Sequence, residues 1–128
     1  MSNRRVSVDQ LASAVNEVLS EYTDDLAVVV KETAKEVADK TAMQLKGSSP
    51  KRIGGYAKSW RAKVMSESTD NLEVTVYNAR WYMLTHLLEH GHAKRGGGRV
   101  AARPHIAAAE QAGMQMYQEE LEKRIQNM

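Results

Sequence analysis

An apolar stripe at helical spacing, cut off and followed by strict alternation, constrains this chain more than any other feature. Val8, Leu11, Val15, Val18, Tyr22, Leu26, Val29, Thr33, Val37, Thr41 and Leu45 recur in steps of three and four, the repeat that lays one face of an α-helix on a partner. Ser7 and Gln10 have the spacing of a capping box. At the other end, Gly47 suits a left-handed terminator and Pro50 blocks resumption. An unbroken helix would reach about 58 Å at 1.5 Å per residue, long for a chain of 128 residues. Thr23-Asp24-Asp25 offers a break, with Thr23 capping a second helix. The expectation is one long or kinked helix over residues 8–46.

Past a Gly-, Ser- and Lys-containing loop at 47–55, the period changes. Lys58, Trp60, Ala62 and Val64 alternate with Ser59, Arg61, Lys63 and Met65. After the polar cluster 66–71, Leu72, Val74 and Val76 alternate with Glu73, Thr75 and Tyr77. This is a β-hairpin over 56–77. Asn78 can cap a short helix over 79–90 whose face is Trp81, Leu84, Leu87 and Leu88, and Gly91 supplies its stop. Residues 93–103 hold three consecutive glycines and four basic residues, a flexible basic loop with a short strand at 99–102. Pro104 suits the first turn of a C-terminal helix over 104–127, with Ile106, Ala109, Gly113, Tyr117, Leu121 and Ile125 on its face. Gly113 there predicts close approach of another backbone.

A two-stranded hairpin is marginal alone. It must pack on the two long helices, or be completed by a third strand or a neighbouring subunit. The predicted fold is a single α+β domain over 1–128: long N-terminal helix, β-hairpin or small antiparallel sheet, short helix, basic Gly-rich loop and C-terminal helix. At this length about two-thirds of the unfolded chain's surface can be buried, enough for a core without staples. None are at hand, because the chain has no Cys, which excludes disulfides, thiolate zinc sites and a cysteine nucleophile. The longest apolar run, Leu26 to Val30, is far short of a membrane span, and no apolar signal core follows Arg4 and Arg5. These features predict a soluble, unsecreted protein with no membrane partner.

The net charge of +2 conceals a segregation. Residues 1–46 carry six basic and eight acidic groups, 67–92 one and four, and 104–128 two and four, whereas 47–66 and 93–103 together carry nine basic and none acidic. Acidic helices stand beside basic loops and a basic strand, an arrangement suited to subunits that meet acid to base or to loops that face DNA.

Two chemistries compete with a structural role. His86-Leu87-Leu88-Glu89-His90 fits the H-x-x-E-H pattern, in which two His four apart hold zinc and Glu acts as base. His86, His90 and His92 are the candidate metal ligands of a small zinc-dependent hydrolase with Glu89 as base, and His105 adds another imidazole. Against this, the helix stops at once at Gly91, little chain remains to build a cleft, and the imidazoles suit a helix C-terminus. Non-specific DNA binding is the other alternative. Lys51, Arg52, Lys58, Arg61 and Lys63, then Lys94, Arg95, Arg99 and Arg103, are phosphate-neutralising types, and Tyr56 and Trp60 could stack on bases if exposed. No sequence-reading motif accompanies them. Gly96 to Gly98 is no phosphate-binding loop, since G-x-x-x-x-G-K is absent. No catalytic residue and no cofactor is assigned.

The order of residues resembles a known family. Ser49-Pro50-Lys51-Arg52-Ile53-Gly54-Gly55-Tyr56-Ala57-Lys58-Ser59-Trp60, then Val76-Tyr77-Asn78, then Leu84 to His92 with Gly97-Gly98-Arg99-Val100, and Pro104-His105-Ile106 opening a helix, are similar to the neck proteins of tailed bacteriophages. These are the head-to-tail joining or tail-completion proteins of long-tailed phages and prophages. The resemblance covers about residues 8–125; Ile53 departs from it, standing where Thr is expected. It implies a non-catalytic virion part, made in the host cytoplasm, that forms a ring of six or twelve subunits around the DNA channel. Its neighbours would be the head connector or stopper and the tail-terminator or tail-tube proteins, with contact to genomic DNA. Lys51, Arg52, Lys94, Arg95, Arg99 and Arg103 are then the candidates for subunit or DNA contact.

Overall fold

The computed structural model describes residues 5–7, 12–18, 23–52 and 54–128. Its elements in chain order are β1 (Arg5–Ser7), β2 (Ala12–Val18), α1 (Asp24–Ser48), β3 (Trp60–Ser68), β4 (Asn71–Asn78), α2 (Tyr82–His90), β5 (His92–Ala93), β6 (Arg99–Val100) and α3 (Ile106–Gln126). The α+β class is as the sequence predicts.

Thr23 starts the first helix. Its hydroxyl accepts the Leu26 N–H at 3.3 Å, and Asp24 and Asp25 set carboxylates beside the free N–H groups of the first turn. The expected helix over 8–46 is therefore corrected upstream of this point, where Ala12–Val18 is a strand. Ser7 lies in β1; Val8, Gln10, Leu11 and Tyr22, on which the rest of the expected first turn depends, lie outside the described residues. A few steps of three or four do not separate a helical face from a strand, and here the partner decides. The free edge of β4 takes β2 in antiparallel register, Ser13 opposite Val76 and Val15 opposite Val74. The hairpin is completed from within the chain, and the sheet runs β1-β2-β4-β3.

The other end of α1 also differs from expectation. Gly47 lies inside the helix with an ordinary helical φ. The helix stops because Ser49 precedes Pro50 and takes extended backbone, φ −73° and ψ 151°, the conformation that a following proline imposes. Lys51 Nζ then donates to the carbonyls of Lys46, Gly47 and Ser49 at 2.9, 2.9 and 3.2 Å, a cation on the negative end of the helix.

Leu72, Val74, Val76 and Asn78 alternate inward along β4, and α1 packs on that face with Val30, Ala34, Val37, Ala38 and Leu45. α3 packs along α1, adding Ile106, Ala109 and Tyr117 to the core. At its far end Arg124 holds α1, donating to Glu36 through both terminal nitrogens at 2.9 and 3.0 Å and to Glu120 at 3.1 Å. Gly113 sits where the two helices meet. A Cβ there would lie 2.6 Å from Thr41 Oγ1, so what the glycine admits is a buried threonine side chain and not another backbone. Gly113→Ala should therefore lower stability by about 1–2 kcal/mol, although alanine favours helix by about 1 kcal/mol. Thermal melts of Gly113→Ala and of Gly113→Ala with Thr41→Ala check this: the second change should make the first close to neutral or favourable.

Candidate functional site

The end of α2, the loop before β3 and the start of α3 converge on one buried polar cluster. α3 begins after Pro104-His105 with no side-chain cap of its own, which leaves N–H groups that need an acceptor. Glu89, 8% exposed in the last turn of α2, supplies it. Its Oε1 accepts from the backbone N–H of His105 at 2.7 Å and Ile106 at 2.9 Å, and Oε2 from Ala107 at 3.1 Å. Burial pushes this carboxyl up, but the three backbone donors and neighbouring His105 outweigh it and hold the group below the usual carboxylate range.

His105, 4% exposed, continues the network. Its Nδ1 lies 2.8 Å from the Arg103 carbonyl, which can only accept. In the neutral ring Nδ1 therefore carries the proton, and Nε2 accepts from the Tyr56 hydroxyl at 2.8 Å. Burial, with the Glu89 charge added, pushes the Tyr56 phenol well above its ordinary value. Tyr56, Trp60 and His105 pack edge to face with centroids 5.6 to 6.4 Å apart. Trp60 Nε1 donates to Ser49 Oγ at 2.8 Å, and Asn78 donates to the Tyr56 carbonyl at 2.9 Å while accepting from the Trp81 N–H at 2.8 Å. Asn78 thus shapes the turn into α2, which starts at Tyr82.

This geometry revises the sequence-derived chemistry. Glu89 points into the fold and its carboxylate is engaged by α3, so the hydrolase reading loses its base. His86 and His90 lie on the exposed side of α2 with ring centroids 5.1 Å apart, and His92 Nδ1 is 3.1 Å from the Ala93 carbonyl. Among the described residues no group of three or more His, Asp or Glu is placed to hold a metal ion. Tyr56 and Trp60 are fully buried, so the exposure that stacking on bases requires is absent at both.

The basic residues divide. Lys51 is engaged by α1, and Arg99 reaches the His90 carbonyl at 3.5 Å. The segment 93–103, expected as a flexible loop, contains part of a short hairpin in which His92 pairs with Val100 and Ala93 with Arg99. Gly97 and Gly98 take φ of 106° and 82° in its turn, beside exposed Lys94 and Arg95. Arg103 N–H donates to the Leu88 carbonyl at 2.6 Å. Arg52 and Arg103, from the two basic stretches, come together on a groove of about 360 Å³ lined also by Pro50, Leu87, Leu88, His92 and Val100. The buried anchor was legible only as the missing α3 cap; the Glu89, His105 and Tyr56 connections span separations no local pattern carries.

The buried polar groups fasten the domain's own elements, and Lys94 and Arg95 stand exposed at a surface turn. The chain belongs to the HK97-gp10-like family, whose sequence model, described as "Bacteriophage HK97-gp10, putative tail-component", matches residues 9–91. It is a phage tail structural component, and its place is the virion. The match takes in β2 through Gly91 and leaves α3 outside it. No curated protein and no solved structure matches the chain. No helix among the described residues is long and apolar enough to cross a membrane.

Proposed function

We propose that the chain is a non-enzymatic neck protein, joining the head connector or stopper to the tail-terminator or tail-tube proteins as a ring around the DNA channel. One observation carries the reading: Arg52 and Arg103, from two segments that together hold nine basic residues and no acidic one, line a single groove at the α2 end. Subunits of this kind meet through heterologous contacts that close by rotation; six or twelve copies fit the family resemblance. The β5–β6 turn, with Lys94 and Arg95 on it, is directed to the lumen or to the adjoining ring, where it meets genomic DNA through its phosphates.

Particles in which Lys94, Arg95 and Arg99 are all replaced by Ala should show about tenfold fewer joined, DNA-retaining virions, since three phosphate-neutralising charges are gone. Counting filled, tailed particles by electron microscopy checks it. Wild-type numbers would overturn the role given to the hairpin.

A further inference from the structure

The groove between the α2 end and β6 has a floor of Leu87, Leu88 and Val100 and walls that carry Arg52, Arg103 and His92, with no acidic residue lining it. An apolar floor does not match a nucleic-acid backbone, which presents phosphates and sugars. It matches an amphipathic, acidic helix face, the helix-in-groove mode of recognition. The same chain carries such a face. Along the C-terminal half of α3, Met114, Leu121 and Ile125 form an open stripe at helical spacing, with Gln118 and Glu122 on it and no basic residue lining it. Ile125 is 42% exposed, and Glu122, exposed, stands at the edge of the stripe. α3 is tied by its first turn to Glu89, at the groove's own end of the molecule. Its residue 125 lies about 28 Å further along the axis at 1.5 Å per residue. The two surfaces of one chain therefore cannot meet each other.

We infer that the C-terminal half of α3 of a second copy docks in this groove, the apolar stripe on Leu87, Leu88 and Val100 and the Glu122 carboxylate against Arg52 and Arg103. The contact is heterologous: each copy offers a groove at one end of α3 and a helix face at the other, so association proceeds head to tail. The inference rests on the ring proposed above and supplies its interface. Charge pairing at the groove rim sets register and rejects the reversed orientation.

The test is a charge swap in the full chain, followed by sedimentation and electron microscopy of the concentrated protein, with circular dichroism to verify folding. Arg52→Glu with Arg103→Glu should weaken association about tenfold or more, as should Glu122→Arg. The chain carrying all three changes should assemble again, because its surfaces are complementary once more. If wild-type protein forms rings and either the arginine reversals or Glu122→Arg leaves them intact, or the combined swap fails to restore them, the docking is wrong and the ring stands. If wild-type protein forms open chains that the reversals break and the swap restores, the docking stands and the ring is wrong. Wild-type protein that stays monomeric at all concentrations overturns both.

Discussion

Glu89→Ala should lower stability by about 3 kcal/mol, the range for removing a buried charged acceptor from several donors. For a domain of this size that corresponds to a fall in Tm of about 10 °C. Three backbone N–H groups at 2.7 to 3.1 Å lose their acceptor at once, in a site Glu89 leaves only 8% exposed. Glu89→Gln keeps the shape and one acceptor oxygen, but its amide nitrogen, a donor, must face one of those N–H donors, so it should still cost about 2 kcal/mol. The pH dependence follows from the lowered carboxyl. A carboxylate whose folded pKa lies below its unfolded one contributes stability that is complete above the unfolded value and is lost as pH falls through the folded value. The gap between wild type and Glu89→Gln should thus be full at pH 7 and narrow below about pH 4.5. Urea unfolding at several pH values measures it. A Glu89→Gln variant as stable as wild type at pH 7 would remove Glu89 from its anchoring role. A hydrolase would respond differently, losing turnover with its stability unchanged.

Gly91→Ala should be as damaging for a backbone reason. Gly91 ends α2 with φ 74° and ψ 175°, a region open essentially to glycine alone and costing other residues about 1–3 kcal/mol. Its Cβ would also lie 2.6 Å from the Val100 carbonyl oxygen and 3.0 Å from the Ala102 nitrogen. Those are backbone atoms in and just after β6, so relief requires the whole β5–β6 hairpin to move off the α2 end. The combined loss should be about 3–4 kcal/mol. Hydrogen exchange locates it: the Arg103 amide, bonded to the Leu88 carbonyl, should lose protection before the amides of α1 do. Because that displacement also opens the groove, Gly91→Ala should impair assembly beyond its loss of stability. Unchanged exchange at Arg103 would contradict the close approach.

What was legible in the sequence follows the reach of each signal. Thr23-Asp24-Asp25 carried its own evidence for a helix start, a hydroxyl cap with two acids behind it, and α1 begins there. The alternation from Trp60 to Tyr77 fixed the β3–β4 hairpin, because one face of β4 is fully covered and the other is not. Upstream of Thr23 the same three-and-four spacing misled. Val15 and Val18 satisfy a helix as well as a strand, and the choice was made by β4, more than fifty residues away, whose edge is paired by β2. Gly113 was recognised as a site of close approach, yet only the Thr41 side chain explains it. The H-x-x-E-H string shows the limit most clearly. Its spacing is real, but the Glu is turned toward α3 by three N–H groups from residues 105–107. The charge segregation marked 93–103 as a surface stretch, but the basic stretch 47–66 also carries Tyr56 and Trp60 into the core. It could not reveal that Lys51 closes α1, leaving Arg52 and Arg103 to share the groove.

The ring at the neck is tested most directly by a cryo-electron reconstruction of the virion that carries this chain, at a resolution where Trp60 and Tyr56 can be recognised. The expected result is a closed ring of this fold between connector and tail tube, its β5–β6 turns toward the DNA and α3 of each subunit against the next. The chain found elsewhere in the tail, or missing from the joined particle, would contradict it.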